Sequence, residues 1–238
     1  VLTDSGLIKG KKLMLDATVF PANITYPNDV KLLNTVRDYC CKTILDVKNT
    51  IDPTMRIQTA RKGRRVANRI GSFHWPDVRP IVRGKEGKSV EFGPKAHIAL
   101  VDGYALLDHA AYESFHEGIH LEQSLANHHD RFAQLPSQVL ADQLYATRTN
   151  RALLDHHGVS HSFRRVGRPP NESPSERQKT RSEFKKTQGK RNHIEASFGH
   201  LKERFNLDKI KWTVPGGETM QIQLGLIAFN LHTALANS

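Results

Sequence analysis

The spacing of apolar residues predicts two strands that each carry a carboxylate. Residues 12–20 are mainly apolar, and Asp16 is the only acid among them. The short apolar run Gln138–Ala141 is followed directly by Asp142. Runs of this length and composition are typical of buried strands. We therefore predict a strand at each place, with Asp16 inside the first and Asp142 at the end of the second.

Two further apolar runs predict a β-hairpin. They cover residues 97–101 and 104–107, and Asp102-Gly103 separates them. Asp-Gly between apolar runs is a strong signal for a tight turn between antiparallel strands.

Apolar residues at spacings of three and four predict helices between the strands. One helix begins at Asp29, and another ends at Gly158, after which residues 159–166 predict a last strand. The predicted helices after the first cover residues 122–132, 147–157, 191–202 and 218–236. Strands that alternate with helices, together with a hairpin, predict a mixed α/β sheet with helices on its faces.

The predicted helix 191–202 has an apolar edge beside a charged one. At about 100° per residue, four apolar side chains fall within roughly 60° of one another: Ile194, Phe198, Leu201 and Phe205. Arg191, Glu195 and Lys202 fall within roughly 40° of one another on the neighbouring flank. A surface ion pair four residues apart is an ordinary explanation for this flank. This flank indicates a functional site only if other carboxylates of the chain lie close to Glu195.

The predicted organisation is one domain, residues 1–238, with long polar segments. Residues 28–70 are expected to form a helical, basic insertion after the first strand. Residues 71–95 hold Gly, Pro and charge and predict a loop. Residues 167–190 are polar and basic without an apolar period, and predict a flexible linker. Because the chain begins at Val1 rather than Met, we expect a fragment that lacks an N-terminal module.

Composition and charge narrow the function classes. The chain has 238 residues, of which 38% are hydrophobic, and this supports one sizeable core. The net charge of +11 favours a polyanionic partner, nucleic acid first and an anionic membrane surface second. No stretch reaches the roughly 18 apolar residues of a membrane span. The two cysteines, Cys40 and Cys41, are adjacent, which argues against a disulfide framework and fits a reducing cytoplasm.

The positive charge is concentrated in two stretches. Such stretches can bind DNA phosphates without reading base sequence, although a merely soluble face gives the same pattern. The first comprises Arg56, Arg61, Lys62, Arg64, Arg65 and Arg69, and the second Arg177, Lys179, Arg181, Lys185, Lys186, Lys190 and Arg191.

Three carboxylates are candidates for a metal site. A charge inside a strand, as at Asp16, or at a strand end, as at Asp142, is costly unless it is paired or binds metal. With Glu195, these acids would supply hard oxygen ligands, which suit Mg²⁺ or Mn²⁺ better than zinc. Two such ions, about 3.5–4 Å apart, can activate a water or a 3′-hydroxyl at a phosphodiester. Capping is the alternative: Asp16 could cap a turn, and Asp142 the helix after it.

These residues lie in blocks that resemble the catalytic core of bacterial DDE-type insertion-sequence transposases. The blocks are LDATVFPANITYPNDVKLLN, VLADQLYATRTNRALLDHHGV and RNHIEASFGHLKERFNL, which GLIAFNLHTAL follows. The resemblance implies a ribonuclease-H-like fold, a mixed five-stranded sheet flanked by helices, with the helical basic insertion after the first strand. It also implies Asp16, Asp142 and Glu195 as the catalytic and metal-binding triad, with Mg²⁺ or Mn²⁺, two ions, as the cofactor.

The same resemblance implies a set of DNA-binding residues. A subset of the family has Tyr, Arg, Glu and Lys around the last acid, and Arg191, Glu195 and Lys202 fit that spacing, while Gln188 stands where the Tyr would be. Arg191 and Lys202 would hold phosphates near the metals. Tyr145 matches a Tyr three residues after the second acid and joins the set, although packing explains it as well. The other expected DNA contacts are Arg61, Lys62, Arg64, Arg65, Lys185, Lys186 and Lys190.

The implied function is metal-dependent cleavage of double-stranded DNA at transposon ends, followed by strand transfer through transesterification. The resemblance further implies a homodimer on DNA, in the bacterial cytoplasm at the nucleoid, and the missing N-terminal module would recognise the transposon ends. A non-catalytic DNA-binding remnant of a transposase, which uses only the basic stretches, is the main alternative.

One further motif predicts a different chemistry. The sequence contains an H-E-x-x-H motif at His116, Glu117 and His120. This is the zinc metalloprotease pattern, in which one helix provides two His ligands. Gly118 weakens that helix by about 1 kcal/mol relative to Ala. The chain also has 13 His, so a chance match is unsurprising. We therefore rank the protease hypothesis last.

Overall fold

The computed structural model describes residues 8–24, 29–54, 75, 77–85, 88–164, 167, 173–212 and 214–237. The strands in this part of the chain are β1 (Lys12–Val19), β2 (Pro80–Lys85), β3 (Lys88–Phe92), β4 (Lys95–Val101), β5 (Tyr104–Ala111), β6 (Gln138–Ala141) and β7 (Ser160–His161). The α-helices are α1 (Asp29–Ile51), α2 (Leu121–Phe132), α3 (Arg148–His156), α4 (Pro174–Arg204) and α5 (Gly217–Asn237).

The main sheet is mixed and has five strands in the order β5-β4-β1-β6-β7. The central strand β1 pairs antiparallel with β4 and parallel with β6. The hairpin predicted around Asp102-Gly103 is confirmed, and both turn residues have positive φ angles of 50° and 92°. Helices cover the sheet, so the prediction of a ribonuclease-H-like α/β fold is confirmed.

Each face of the sheet has its own apolar cluster. One cluster packs Leu13 and Leu15 of β1 against Leu121 of α2 and Leu154 of α3. The other packs a residue directly after β1 and one from β4 against α4 and α5: Phe20, Ile98, Ile194, Leu201, Ile222 and Phe229. The apolar edge predicted for helix 191–202 is therefore confirmed, because Ile194 and Leu201 are fully buried. This packing fixes which flank of α4 faces the sheet edge.

Two predictions of irregular structure are wrong. The segment 71–95, predicted as a loop, includes the antiparallel pair β2 and β3, in which Val82 lies opposite Val90. The strands are short and interrupted by charged residues, so no apolar alternation marks them clearly. The strand predicted over 159–166 is confirmed at Ser160–His161, and residues 165 and 166 lie outside the described part of the chain.

The linker predicted over 167–190 is also wrong from Pro174 onwards, where α4 begins, and residues 168–172 lie outside the described part of the chain. The helix starts at local signals rather than at an apolar face: Ser173 and Glu176 form a capping box, and Pro174 occupies the first turn. The residues that follow are mostly Arg, Lys, Glu and Gln, which favour helix without tertiary packing. The basic stretch from Arg177 is thus a helical extension of the segment that carries Glu195.

Helix α5 packs against the edge strand β5. One amide side chain of the helix, Asn230, hydrogen-bonds to the backbone of this strand. Asn230 Oδ1 accepts from the backbone N–H of Ala105, and Asn230 Nδ2 donates to the Ala105 carbonyl, both at 2.8 Å. These backbone groups face away from β4 and would otherwise be buried without partners. Asn230 therefore satisfies the outward-facing backbone groups of β5 at Ala105.

We predict that Asn230→Leu lowers the free energy of unfolding by about 2–4 kcal/mol, because it leaves the N–H and C=O of Ala105 without partners. Urea denaturation measures the change. The control is Gln223→Leu, an exposed position on the same helix, for which we expect less than about 0.5 kcal/mol. Equal losses in the two variants would show that Asn230 has no special role.

Candidate active site

Parallel pairing of β1 with β6 brings the first two acids together. Leu15 of β1 lies opposite Ala141 of β6, and each is followed directly by an aspartate. Asp16, still within β1, and Asp142, directly after β6, therefore lie side by side where β6 ends. Asp142 is also the cap of a 3₁₀ turn over Gln143–Tyr145, and it accepts the backbone N–H of Gln143. The capping alternative for Asp142 thus applies to this short turn, whereas Thr147 caps α3.

The third acid reaches the same edge on α4, which packs against β1 and β6. Ile194 is buried under the helix, and Glu195 projects beside it with a side chain that is 60% exposed. One turn earlier, Arg191 extends towards the two aspartates. The helix therefore adds one carboxylate and one guanidinium to the strand ends.

Arg191 lies between all three acids. Its Nη1 is 3.4 Å from Asp142 Oδ1, and its Nη2 is 3.7 Å from Asp16 Oδ2 and 3.2 Å from Glu195 Oε1. The guanidinium is largely buried, and its Nε has no hydrogen-bond partner among the described residues. The sequence placed Arg191 and Glu195 on one flank, but their shared contact with both aspartates comes only from the fold.

Burial dominates the electrostatics of Asp16. The pKa of Asp16 is raised to about 6; desolvation is the largest cause, and the nearby carboxylates of Glu117 and Asp142 also contribute to the rise. The backbone N–H of Ala17, which Asp16 Oδ1 accepts at 2.9 Å, and the Arg191 guanidinium act in the opposite direction. Asp16 is therefore a costly anion in the folded chain, and carboxyl pKa values raised by burial and nearby charges cluster at functional sites.

The donor chemistry at this edge suits a divalent cation, since three carboxylates supply hard oxygen ligands. Asp16, Asp142 and Glu195 would hold the ion. In the described part of the chain, however, no three His, Cys, Asp or Glu side chains lie close enough together to bind a metal. The Arg191 guanidinium occupies the space between the three carboxylates. A metal ion and this side chain therefore could not occupy that space together.

The other predicted DNA contacts separate into three groups. Lys185, Lys186 and Lys190 lie on the N-terminal part of α4, where Lys185 and Lys186 are exposed. Lys202 is half-buried, with its Nζ 5.9 Å from the centre of the Phe20 ring. The residues of the first basic stretch, which include Arg61, Lys62, Arg64 and Arg65, lie outside the described residues.

The assignment of Tyr145 to the DNA-binding set is wrong. Its side chain is fully buried, and its hydroxyl lies 2.7 Å from Nε2 of His97. No surface of this residue is left for DNA. The Asp-x-x-Tyr spacing instead reflects the short turn after β6, which directs Asp142 to the surface and Tyr145 into the core.

The H-E-x-x-H motif does not form a zinc site. His116 has extended backbone before a 3₁₀ turn over Glu117–His120, so the two His are not on one face of an α-helix. Gly118 lies where a Cβ would come 2.7 Å from the Leu144 carbonyl, so its role is close packing of two turns.

Glu117 proves to be a neighbour of the acids that the sequence did not indicate. It is paired with Lys95 at 3.0 Å and largely buried. Among nearby charges, it is the one that raises the pKa of Asp16 most. The turn over Glu117–His120 packs against the turn that follows Asp142, and no spacing in the sequence indicates this contact.

Comparison with known proteins adds one independent finding. Residues 139–231 match the family model described as the transposase DDE domain. The resemblance to DDE-type transposases is confirmed. The matched segment includes Asp142, Arg191 and Glu195, and Asp16 lies before it. No curated protein matches the chain.

No helix among the described residues of this transposase-like chain has the length and apolar character needed to cross a membrane.

The shared contacts of Arg191 lead to a prediction about the transposase-like site. We predict that Arg191→Gln binds Mn²⁺ several-fold more tightly than the wild type at pH 8, because the competing cation is gone. Without divalent ions, the variant should melt a few degrees lower, since three carboxylates lose their common partner. Calorimetric titration and thermal unfolding measure the two effects. Arg204→Gln, which removes the same charge from an exposed position on α4, is the control. Weaker Mn²⁺ binding by Arg191→Gln would show that the guanidinium does not compete with the ion.

The raised pKa of Asp16 leads to a second prediction. Its folded-state pKa of about 6 lies above the ordinary value of 3.8. Between pH 3.8 and about pH 6 the folded state therefore holds this proton more tightly than the unfolded state, and the free energy of unfolding falls as pH rises through this range. Asp16→Asn should therefore stabilise the chain at pH 8, by at most about 3 kcal/mol, and change little at pH 4. Urea denaturation at both pH values tests this. The exposed Asp130→Asn is the control, and a loss of stability at pH 8 would refute the interpretation.

Proposed function

We propose that the protein is the catalytic core of a DDE transposase, which cuts DNA strands at transposon ends and joins the freed 3′-hydroxyl to target DNA. The observation that carries the proposal is the meeting of Asp16, Asp142 and Glu195 around Arg191 at one edge of the sheet. The family match over residues 139–231 supports a transposase independently of this geometry.

The three acids would hold two divalent ions, either Mg²⁺ or Mn²⁺. When bound, such ions activate the attacking oxygen and stabilise the leaving oxygen. Asp16 and Asp142 are fixed by paired strands, so their carboxylates are positioned before substrate arrives. Glu195 is more exposed and lies on the helix that also carries basic residues towards DNA. Arg191, on leaving the acids, is placed to bind a phosphate with its two-pronged guanidinium.

The N-terminal part of α4 is the proposed DNA-binding surface. Arg177, Arg181 and Lys185 recur every four residues and line one shallow groove on the helix. Because they are exposed and share a face, they can follow a phosphate backbone without reading bases. The same helix carries Glu195 about three turns beyond Lys185, so DNA held on this surface would lead towards the three acids. Two copies, one at each transposon end, would give the homodimer that the resemblance implies.

The decisive experiment is a cleavage assay on supercoiled and end-bearing DNA with Mg²⁺ or Mn²⁺. We expect Asp16→Asn, Asp142→Asn and Glu195→Gln each to lower the cleavage rate by at least about 10³-fold, because each removes one charged oxygen ligand. The matched controls are Asp130→Asn and Glu203→Gln, both exposed, and Glu203 lies on the same helix as Glu195.

Two results would contradict the proposal. Cleavage that survives all three substitutions would remove the triad assignment. Salt-dependent DNA binding by the wild type, without cleavage under any divalent ion, would support the non-catalytic DNA-binding remnant.

A further inference from the structure

A chain of polar side chains crosses the core behind the three acids. His97 on β4 is fully buried, with Nε2 at 2.7 Å from the Tyr145 hydroxyl and Nδ1 at 3.9 Å from Asp108 Oδ2. Asp108 is also buried, and its Oδ1 accepts from Arg131 at 2.7 Å and from Asn127 at 3.1 Å. The chain therefore runs from the surface at Arg131 to the turn after β6.

A β-bulge creates this arrangement. His97 lies opposite His109 and Ile98 opposite Leu107, so Asp108 of β5 has no partner across the ladder. A bulge of this kind redirects a side chain, and here Asp108 meets His97. Burying three polar groups costs desolvation free energy that apolar residues of the same size would not cost. Stability alone therefore does not explain why they are there.

The hydrogen bond between His97 and Tyr145 has a defined donor and acceptor. Burial lowers the pKa of His97 to about 4, so the ring is neutral near pH 7. The Asp108 carboxylate facing Nδ1 favours the proton on that nitrogen. Nε2 is then an acceptor, and the Tyr145 hydroxyl donates to it. Neither His97 Nδ1 nor Asp108 Oδ2 has a hydrogen-bond partner in the described structure, and at 3.9 Å the carboxylate oxygen and the ring nitrogen face each other.

Tyr145 connects this chain to the candidate active site. It ends the short turn that Asp142 caps, and its backbone N–H donates to the Asp142 carbonyl at 3.0 Å. Asn150 Nδ2 donates to the carbonyls of both Tyr145 and Gly118, at 2.8 Å each, and so ties this turn to the turn that carries Glu117. On the other side, His97 pairs with Ala17, the residue after Asp16.

We propose that His97, oriented by Asp108, is a positioning residue that holds Tyr145 and thereby fixes Asp142 relative to Asp16. The inference rests on the proposed DNA cleavage. None of the three side chains touches the reacting atoms, and they act only through the geometry of the two aspartates.

The test compares Asp108→Asn, Tyr145→Phe and the double variant. In Asp108→Asn the amide oxygen keeps the contact with Arg131, so the amide N–H₂ faces His97 Nδ1 and moves the ring proton to Nε2. The Tyr145 hydroxyl must then turn to accept from His97 Nε2–H, and its own hydrogen loses its acceptor. We expect each single variant to lower the turnover of DNA cleavage by about 10- to 100-fold, with DNA affinity within about twofold of the wild type. The double variant should lose no more than the worse single variant, because both changes break the same chain.

Two further measurements separate positioning from simple destabilisation. Nitrogen NMR of His97 should show the proton on Nδ1 in the wild type and on Nε2 in Asp108→Asn. Leu226→Val, in the other apolar cluster, serves as the control for a loss of core packing and should leave turnover unchanged at a temperature where it is folded.

The outcomes are distinct. A wild type that cleaves DNA while the single variants cleave equally well, or while the losses simply add, overturns the positioning role and leaves the proposed function intact. A wild type that cleaves no DNA under any divalent ion overturns the proposed function and this inference with it.

Discussion

The structure depends on one constraint, the parallel register of β1 and β6. Because Leu15 lies opposite Ala141, two aspartates 126 positions apart in the chain emerge side by side. Two carboxylates at one sheet edge repel each other, and desolvation of Asp16 adds to the cost. The Arg191 guanidinium, in contact with both aspartates and with Glu195, offsets that repulsion. The chain thus tolerates an arrangement that is unfavourable without a cation, and either a guanidinium or a divalent ion can supply one.

Helix α4 combines in one element two segments that the sequence predicted as separate, a basic linker and a helix with Glu195. Its C-terminal part buries Ile194 and Leu201 and so fixes Glu195 at the sheet edge. Its N-terminal part is exposed and basic, and is held in the helix by a capping box at Ser173 rather than by packing. A continuous helix transmits the position of one part to the other. In the proposed function, DNA that binds the basic part is therefore aligned with the acids by the rigidity of the helix.

Much of the fold could be predicted from the sequence, because its signals are local. The hairpin turn at Asp102-Gly103, the apolar edge of Ile194 and Leu201 and the strand before Asp142 all follow from spacing and turn chemistry. The linker prediction was wrong because it required an apolar period, whereas the capping box and helix-favouring residues after Ser173 were sufficient. The prediction for Tyr145 was wrong because one sequence cannot show which side of a short turn faces the core.

The contacts that give the candidate site its properties are non-local. No spacing places Glu117 near Asp16, or Asp108 against His97, since the first depends on two turns that pack together and the second on a β-bulge. The shared contact of Arg191 likewise needs the register of two strands and the packing of a helix. The resemblance to transposases supplied the three acids, and the fold shows that they face a common cation.

The central claim is that Asp16, Asp142 and Glu195 form one divalent-ion site. Line broadening of backbone amide signals by substoichiometric Mn²⁺, in ¹⁵N-labelled protein, tests it most directly. The account predicts that the amides of Ala17, Gln143 and Ala196 broaden first and together, and that Asp16→Asn abolishes the effect at all three. Broadening centred on His116 and His120, or on only one of the three acids, would contradict the account.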